Sequence, residues 1–202
     1  MTKRQLAAQE TKRRLIEAGR QIICEKGLAN TCVDEITGQA GVSKGTFYTY
    51  FERKEDIVFE LSRFMFNEIL NHAKKINGSF YDRIRQYMVD FSDYIEKGSV
   101  RLAQEWIRSV VNSPITDDGQ GLYKWKLDVA CVEELLRTGI SDGQLKEELQ
   151  VEEFAHIVVE LLYGQLLCWC INDGKYSLRE RTEEFCDAYL KILLKSYEED
   201  EG

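Results

Sequence analysis

The sequence predicts an all-α protein of about nine helices, and three observations lead there. Apolar residues recur at steps of three and four along most of the chain. A single proline, Pro114, occurs in 202 residues. No alternation of apolar and polar residues is long enough to make a strand. With 44% hydrophobic and 31% charged residues, the chain has material for both a core and a soluble surface.

The elements follow in order. Leu15, Ala18, Ile22 and Ile23 give the apolar face of a first helix over Thr11–Lys26, and Gly27 is its stop. Gly19 is a weak point inside it, of use where another helix comes close. Thr31 begins a capping pattern with Asp34 in place of the commoner Glu or Gln. Val33, Ile36 and Ala40 form the inward face of a short second helix, broken by Gly41. Ser43 is the natural cap of a third helix, anchored by Phe47, Tyr50 and Phe51. The second and third helices read as a helix-turn-helix over about 32–51.

A fourth helix should run from near Lys54 to about Ala73, with Ile57, Leu61, Phe64, Met65 and Ile69 inward. Phe80, Ile84, Tyr87, Phe91 and Tyr94 mark a fifth. Ala103, Trp106, Ile107 and Val110 mark a sixth, ended at Asn112-Ser113-Pro114. Leu122, Trp125, Val129, Val132 and Leu136 mark a seventh, stopped at Gly139. An eighth covers 151–172 and a ninth 178–197, the latter with Phe185, Tyr189, Ile192 and Leu193 aligned and an acidic tail beyond.

Charge divides the chain. Residues 1–54 hold ten Lys/Arg against six Asp/Glu, a balance of +4, while the remainder holds seventeen against twenty-nine, a balance of -12; together these give the net -8. A basic first portion on an acidic body points to an anionic partner for that portion alone. The start has no apolar stretch of signal-peptide length. The apolar run 157–171, interrupted by Glu160, Gly164 and Gln165, reads as too short and too polar to span a bilayer and so as a buried helix. The six cysteines (24, 32, 131, 168, 170 and 186) fit neither a disulfide framework nor a zinc signature. Cys168 and Cys170 are two apart on a helix and face different sides, so packing is favoured over metal or thiol sensing. The expectation is a cytoplasmic protein with reduced thiols, no membrane association, no metal and no cofactor.

Thr31 through Gly41, and Val42-Ser43-Lys44-Gly45-Thr46-Phe47-Tyr48-Thr49-Tyr50-Phe51 followed by Lys54-Glu55-Asp56, together with Leu15-Ile16-Glu17-Ala18 through Gly27, resemble the TetR family of transcriptional regulators. The resemblance covers about residues 10–70. It implies a three-helix DNA-binding domain there, and over 71–202 a helical domain that dimerises and holds a small-molecule effector, whose identity the sequence leaves open. Lys44 can reach a base edge or phosphate, and Gly45 lets the backbone approach DNA closely. Thr46 can hydrogen-bond or meet a thymine methyl, while Tyr48 and Thr49 point off the packed face. Tyr50 is shared between core and DNA backbone. Thr31 and Ser43 either only cap their helices or also meet phosphate. The resemblance gives Lys54 a grip on the backbone, and Arg4, Lys12, Arg13 and Arg14 a looser role as a basic arm. Phe47 and Phe51 are core.

The family's effector cavity makes Phe64, Phe91, Trp106 and Trp125 its expected lining. Glu105 or Asp90 would admit a cationic ligand if turned inward, though exposed carboxylates are the plainer reading. Residues 154–171 are apolar nearly all round, which suits a homodimer through the last two helices. A twofold dimer presents two recognition helices to a palindromic operator on double-stranded DNA, and ligand-released repression is the family's usual mode. An enzyme is the rival reading, against which stand the lack of a Gly-rich phosphate loop, a His-Glu-x-x-His helix and a nucleophile elbow. A helical protein-binding adaptor is another, against which stands the basic, capped tri-helix.

Overall fold

The computed structural model describes residues 2–112 and 123–198, and within them not the side chains of 59, 62–65, 109, 110, 112, 123 and 124. The side chains of Phe64, Met65 and Val110, the stop at Ser113-Pro114, Leu122 and the tail past Glu198 thus lie outside the described residues. The described residues are helical, with an isolated bridge between Leu145 and Glu198 and no strand. The chain divides into two compact units, residues 1–64 with 101–113, and 65–100 with 114–202.

The first unit is built on α1 (Lys3–Lys26), α2 (Val33–Ala40), α3 (Lys44–Tyr50), the start of α4 (Asp56–Lys74), and α6 (Val100–Asn112). α1 begins well before the apolar pattern that predicts it. Thr2 accepts from the Gln5 amide at 3.3 Å, and Gln5 Oε1 accepts from the Thr2 amide at 2.7 Å, a reciprocal cap that starts the helix in polar sequence. The basic arm is therefore helical.

Leu15, Ile23, Ile36, Phe47 and Ile57 meet in the core of this unit. Gly19 has the use foreseen for it, since a Cβ there would lie 2.7 Å from Ile57 Cδ1, so α4 packs against α1 at that point. The cap of α2 falls one residue later than predicted. Cys32 is the N-cap, and its amide donates to Glu35 Oε2 at 2.9 Å. Thr31 lies one residue before the cap, and its hydroxyl, buried at 3% exposure, donates to the Gly27 carbonyl at 2.8 Å. Gly41 takes the left-handed conformation (φ 66°, ψ 40°) that turns α2 toward α3.

The sequence pattern groups the sixth helix with the later ones, whereas α6 belongs to the first unit. Leu102 and Trp106 pack on that unit's core, and Arg101 Nη1 donates to the Glu25 carbonyl at 2.6 Å. An amphipathic stripe shows that a face is buried but not against which core.

The second unit takes the end of α4, α5 (Phe80–Gly98), α7 (Tyr123–Ser141), α8 (Val151–Ile171), and a last helix made of α9 (Leu178–Phe185), a π-turn at Cys186–Leu190 and α10 (Lys191–Leu194). Its core centres on Ile84, Tyr87, Met88, Val132, Leu135, Leu136, Ala155 and Leu162. α7 runs through Gly139 to Ser141 rather than stopping there. A Cβ at Gly139 would sit 2.5 Å from the Phe80 ring, so packing explains this glycine. The π-turn is invisible in the sequence pattern, and Tyr81 Oη donates to the Cys186 carbonyl within it at 3.3 Å.

α8 has 21 residues and is long and apolar enough, by length and composition, to cross a membrane, contrary to the sequence reading. Its residues Phe154, Ala155, Val158, Val159, Leu162, Leu166, Trp169 and Cys170 are nevertheless buried within the protein, as in the core helix of a soluble domain.

Candidate nucleic-acid interface

Two anchors hold α3, and both are legible in the sequence. Ser43 caps it, its Oγ accepting from the Thr46 amide at 3.1 Å with the Thr46 hydroxyl 2.9 Å away. Phe47 and Phe51 fix its inner side, both buried, with ring centroids 5.2 Å apart. Tyr48 leans edge-on against Phe47 at 5.4 Å yet keeps 53% of its surface exposed. Lys44, Gly45, Tyr48 and Thr49 make the outer face; Thr46 and Tyr50 are half-buried, Tyr50 packing on the core. Thr49 Oγ1 donates to the Gly45 carbonyl at 3.1 Å.

Gly45 is informative because the fold does not need it. The nearest atom to a Cβ built there is Ser43 Oγ at 3.8 Å, an ordinary contact. A helix favours Ala over Gly by up to about 1 kcal/mol, so the fold itself does not call for glycine at this position.

Lys44 is not idle. Its ammonium lies 3.0 Å from Asp34 Oδ1 and 3.1 Å from Oδ2, and this hydrogen bond raises its pKa above the ordinary lysine value. Lys54 Nζ donates to the carbonyls of Leu28 at 2.7 Å and Thr31 at 2.8 Å, with Ala29 at 3.4 Å. It thereby closes the turn between α1 and α2. Glu35 locks the same turn from the other side, bonding Lys26 and the Cys32 amide, which together bring its carboxyl down to about 2. Lys54 and Thr31 thus position α2, whereas Lys44, Gly45, Tyr48 and Thr49 present themselves outward. Of the arm, Arg13 pairs with Glu10 at 2.7 Å and Lys12 with Glu60 at 2.9 Å, while Arg4 and Arg14 are exposed.

In the second unit, Phe91 is buried and stacks on Phe66 at 5.0 Å, and Trp125 is half-buried with its ring edge-on to His156 at 4.6 Å. Trp106, on α6, packs on the core of the first unit. Neither carboxylate singled out in the sequence is the deeply buried one: Asp90 bonds His72 at 2.5 Å and Gln86 at 2.7 Å, and Glu105 bonds Arg108 at 2.6 Å.

The buried carboxylate is Asp128, 1% exposed, whose Oδ2 accepts from Tyr163 Oη at 2.5 Å. Burial, then the Asp128 charge, pushes the Tyr163 and Tyr87 hydroxyls well above the ordinary tyrosine pKa. The signal was present in the sequence, since Asp128 falls three residues after Trp125 and four before Val132, on the buried stripe of α7. The six cysteines are free thiols. Burial raises Cys170 to about 11 and Cys186 to about 12, which keeps both protonated and unreactive near neutral pH. Among the described residues no cluster of His, Cys, Asp and Glu has the makings of a metal site.

Fold and outward face define a class: a helix-turn-helix transcriptional regulator on an all-helical chain. Residues 15–61 match the family described as bacterial regulatory proteins, tetR family. The fatty acid metabolism regulator protein of Bacillus subtilis is 27% identical over 81% of this chain and 86% of its own length. The transcriptional regulator AcrR of Shigella flexneri is 24% identical over 94% and 90%. The crystal structure of FadR from Bacillus subtilis in complex with stearoyl-CoA superposes with a TM-score of 0.68 at 23% identity, over 87% of this chain and 96% of that one. Residues 15–61 thus carry the tetR-family segment of bacterial regulatory proteins, and the chain is similar over most of its length to transcriptional regulators.

Proposed function

We propose that the protein is a homodimeric cytoplasmic repressor, without enzymatic activity, that binds a palindromic operator and leaves it when a small molecule enters the second unit. The observation that carries this reading is the outer face of α3, where Lys44, Tyr48 and Thr49 surround a glycine that nothing in the chain requires. Ser43, Thr46 and Tyr50 flank that face, and Thr31 and Lys54 hold α2 in place beside it.

Dimerisation is supported by the opposite kind of face. Ile157, Leu167 and Ile171 of α8, and Tyr189, Ile192 and Leu193 of the last helix, are exposed, Ile171 by 73% and Ile192 by 69%. Gly164 lies between Ile157 and Ile171 with nothing within 4 Å of a Cβ, as the crossing of two helices from separate copies requires. The second unit takes the effector in its apolar interior near Phe91 and Trp125, with Asp128 and Tyr163 as the polar groups at hand. The relative crystallised with stearoyl-CoA makes a long-chain acyl-CoA the first effector to try.

The test begins with selection of duplexes from a randomised pool by the full-length protein. A palindromic consensus is expected, with sedimentation giving a dimer at micromolar concentration. Lys44→Ala and Tyr48→Ala should each weaken binding to the selected duplex while the dimer stays folded. Unchanged affinity in both variants overturns the assignment of the face. Stearoyl-CoA should release the duplex, and failure to do so, with release by another small molecule, would keep the repressor and discard the acyl effector.

A further inference from the structure

Three Asx-Gly steps lie among the described residues, Asn77-Gly78, Asp142-Gly143 and Asp173-Gly174, and the fold treats them differently. At each, the glycine amide can attack the preceding side chain, since glycine has no side chain to shield its own nitrogen. Two of the three amides are held. Gly143 donates to the Ile140 carbonyl at 2.9 Å, and Gly174 to the Trp169 carbonyl at 3.0 Å. Asp142 is further restrained by Arg83 Nη1 at 2.7 Å. Asn77-Gly78 lies in the loop between α4 and α5, with both residues exposed, and among the described residues no acceptor takes the Gly78 amide. The Asn30 and Asn172 carboxamides donate to the carbonyls of Lys26 at 2.9 Å and Cys168 at 2.8 Å, a restraint that Asn77 lacks among the described residues. The fold also keeps the step open to attack. Gly78 takes φ 144°, and a Cβ there would lie 2.6 Å from Asp82 Oδ2, so no shielding side chain fits.

We propose that Asn77 is a site of spontaneous covalent modification, deamidation through a succinimide, and that this change loosens the entry to α5. The Gly78 nitrogen forms a bond to Asn77 Cγ, the Cγ–Nδ2 bond breaks, and ammonia leaves carrying the Gly78 amide proton. Water then opens the five-membered ring. Attack at Cγ gives aspartate, whereas attack at the main-chain carbonyl carbon gives isoaspartate, with the chain rerouted through Cβ and Cγ. Both products add a negative charge, and isoaspartate lengthens the main chain by one atom. The contacts beside it depend on the present length. The Gly78 carbonyl accepts from Gln144 Nε2 at 3.3 Å, and Gln144 Oε1 accepts from Arg83 Nη2 at 2.9 Å. Arg83 is 7% exposed, so a partner lost there is not readily replaced by water.

The experiment incubates the full-length protein at mildly alkaline pH and maps its peptides by mass spectrometry, with isoaspartate detected by an isoaspartyl methyltransferase. The rate at each step is divided by that in a free peptide of the same sequence (residues 72–84, 137–149 and 171–180), which removes the intrinsic difference between Asn and Asp. The quotient should lie near unity at Asn77 and about tenfold lower at Asp142 and Asp173, the factor that one intact hydrogen bond supplies. Aged protein should melt about 2–4 °C below fresh protein, the shift that loss of one hydrogen bond brings in a chain of this size. Asn77→Gln, whose longer side chain closes a ring far more slowly, should match the fresh wild type and show neither modification at 77 nor drift of the midpoint. A quotient at Asn77 as low as at the two aspartates would overturn the proposal. So would aged protein, modified at 77, that melts with the fresh protein, or an equal drift in Asn77→Gln, which would place the loosening elsewhere.

Discussion

The outer face of α3 and the exposed face of α8 each carry a glycine inside a helix, Gly45 and Gly164, and in neither case does the chain explain it. Gly19 shows the contrast, for there the Ile57 side chain leaves no space for a methyl group. Around Gly45 the exposed groups are Lys44, Tyr48 and Thr49, polar-tipped and suited to a hydrated, charged partner. Around Gly164 they are Ile157, Leu167 and Ile171, suited to a dry one. Open space alone does not distinguish these glycines, since Gly38 of α2 has it too; what separates the two faces is the side chains around Gly45 and Gly164.

The comparison can be broken most forcefully at the apolar face. Ile157→Asp combined with Ile192→Asp should give a folded monomer by sedimentation. Its affinity for the selected duplex should fall by about 100-fold or more, because the two recognition helices no longer bind as a linked pair. A dimer that survives both charges would separate this face from association.

Lys54→Met comes next. Removing the donor from the Leu28 and Thr31 carbonyls should destabilise the protein by about 1–3 kcal/mol in denaturant unfolding. DNA affinity measured on the remaining folded protein would show whether Lys54 also touches phosphate.

The two glycines then give matched tests. Gly45→Ala should stabilise the protein by up to about 1 kcal/mol and weaken binding to the selected duplex about tenfold. Gly164→Ala should give a similar gain in the helix while raising the dimer dissociation constant several-fold and leaving monomer stability no worse. If either variant gained stability with no loss of its partner, that glycine would be of no account to recognition.

The smallest effect concerns Glu35. Its folded pKa of about 2 lies below the ordinary 4.5, so its contribution is complete above about 4.5 and lost as pH falls to about 2. Glu35→Gln should lower the thermal midpoint slightly at pH 7, and that difference should close on acidification through this window.

Most of the first unit was legible in the sequence. The Ser43 cap, the Gly41 turn and the Phe47–Phe51 anchor are local and depend on neighbours within a few residues. The start of α1 is not legible from hydrophobic periodicity, which is silent in a polar stretch, although Thr2 and Gln5 spell the cap. The cap of α2 falls at Cys32, because Thr31 sits one residue earlier in the turn and bonds back to Gly27. Asp128 is hidden in the pattern because it lies on the apolar stripe of α7 itself, where spacing marks a core position and not a carboxylate.

The sequence by itself determined the helical class, the helix-turn-helix and the side chains of its outer face, because each follows from short-range spacing and capping chemistry. Only the tertiary structure decided that α6 joins the first unit, that the last helix contains a π-turn, that Gly45 and Gly164 stand in open space, and that Lys44 rests on Asp34. These depend on which faces meet across long stretches of chain. An amphipathic pattern records that a face is buried or exposed, and carries no address for what it meets.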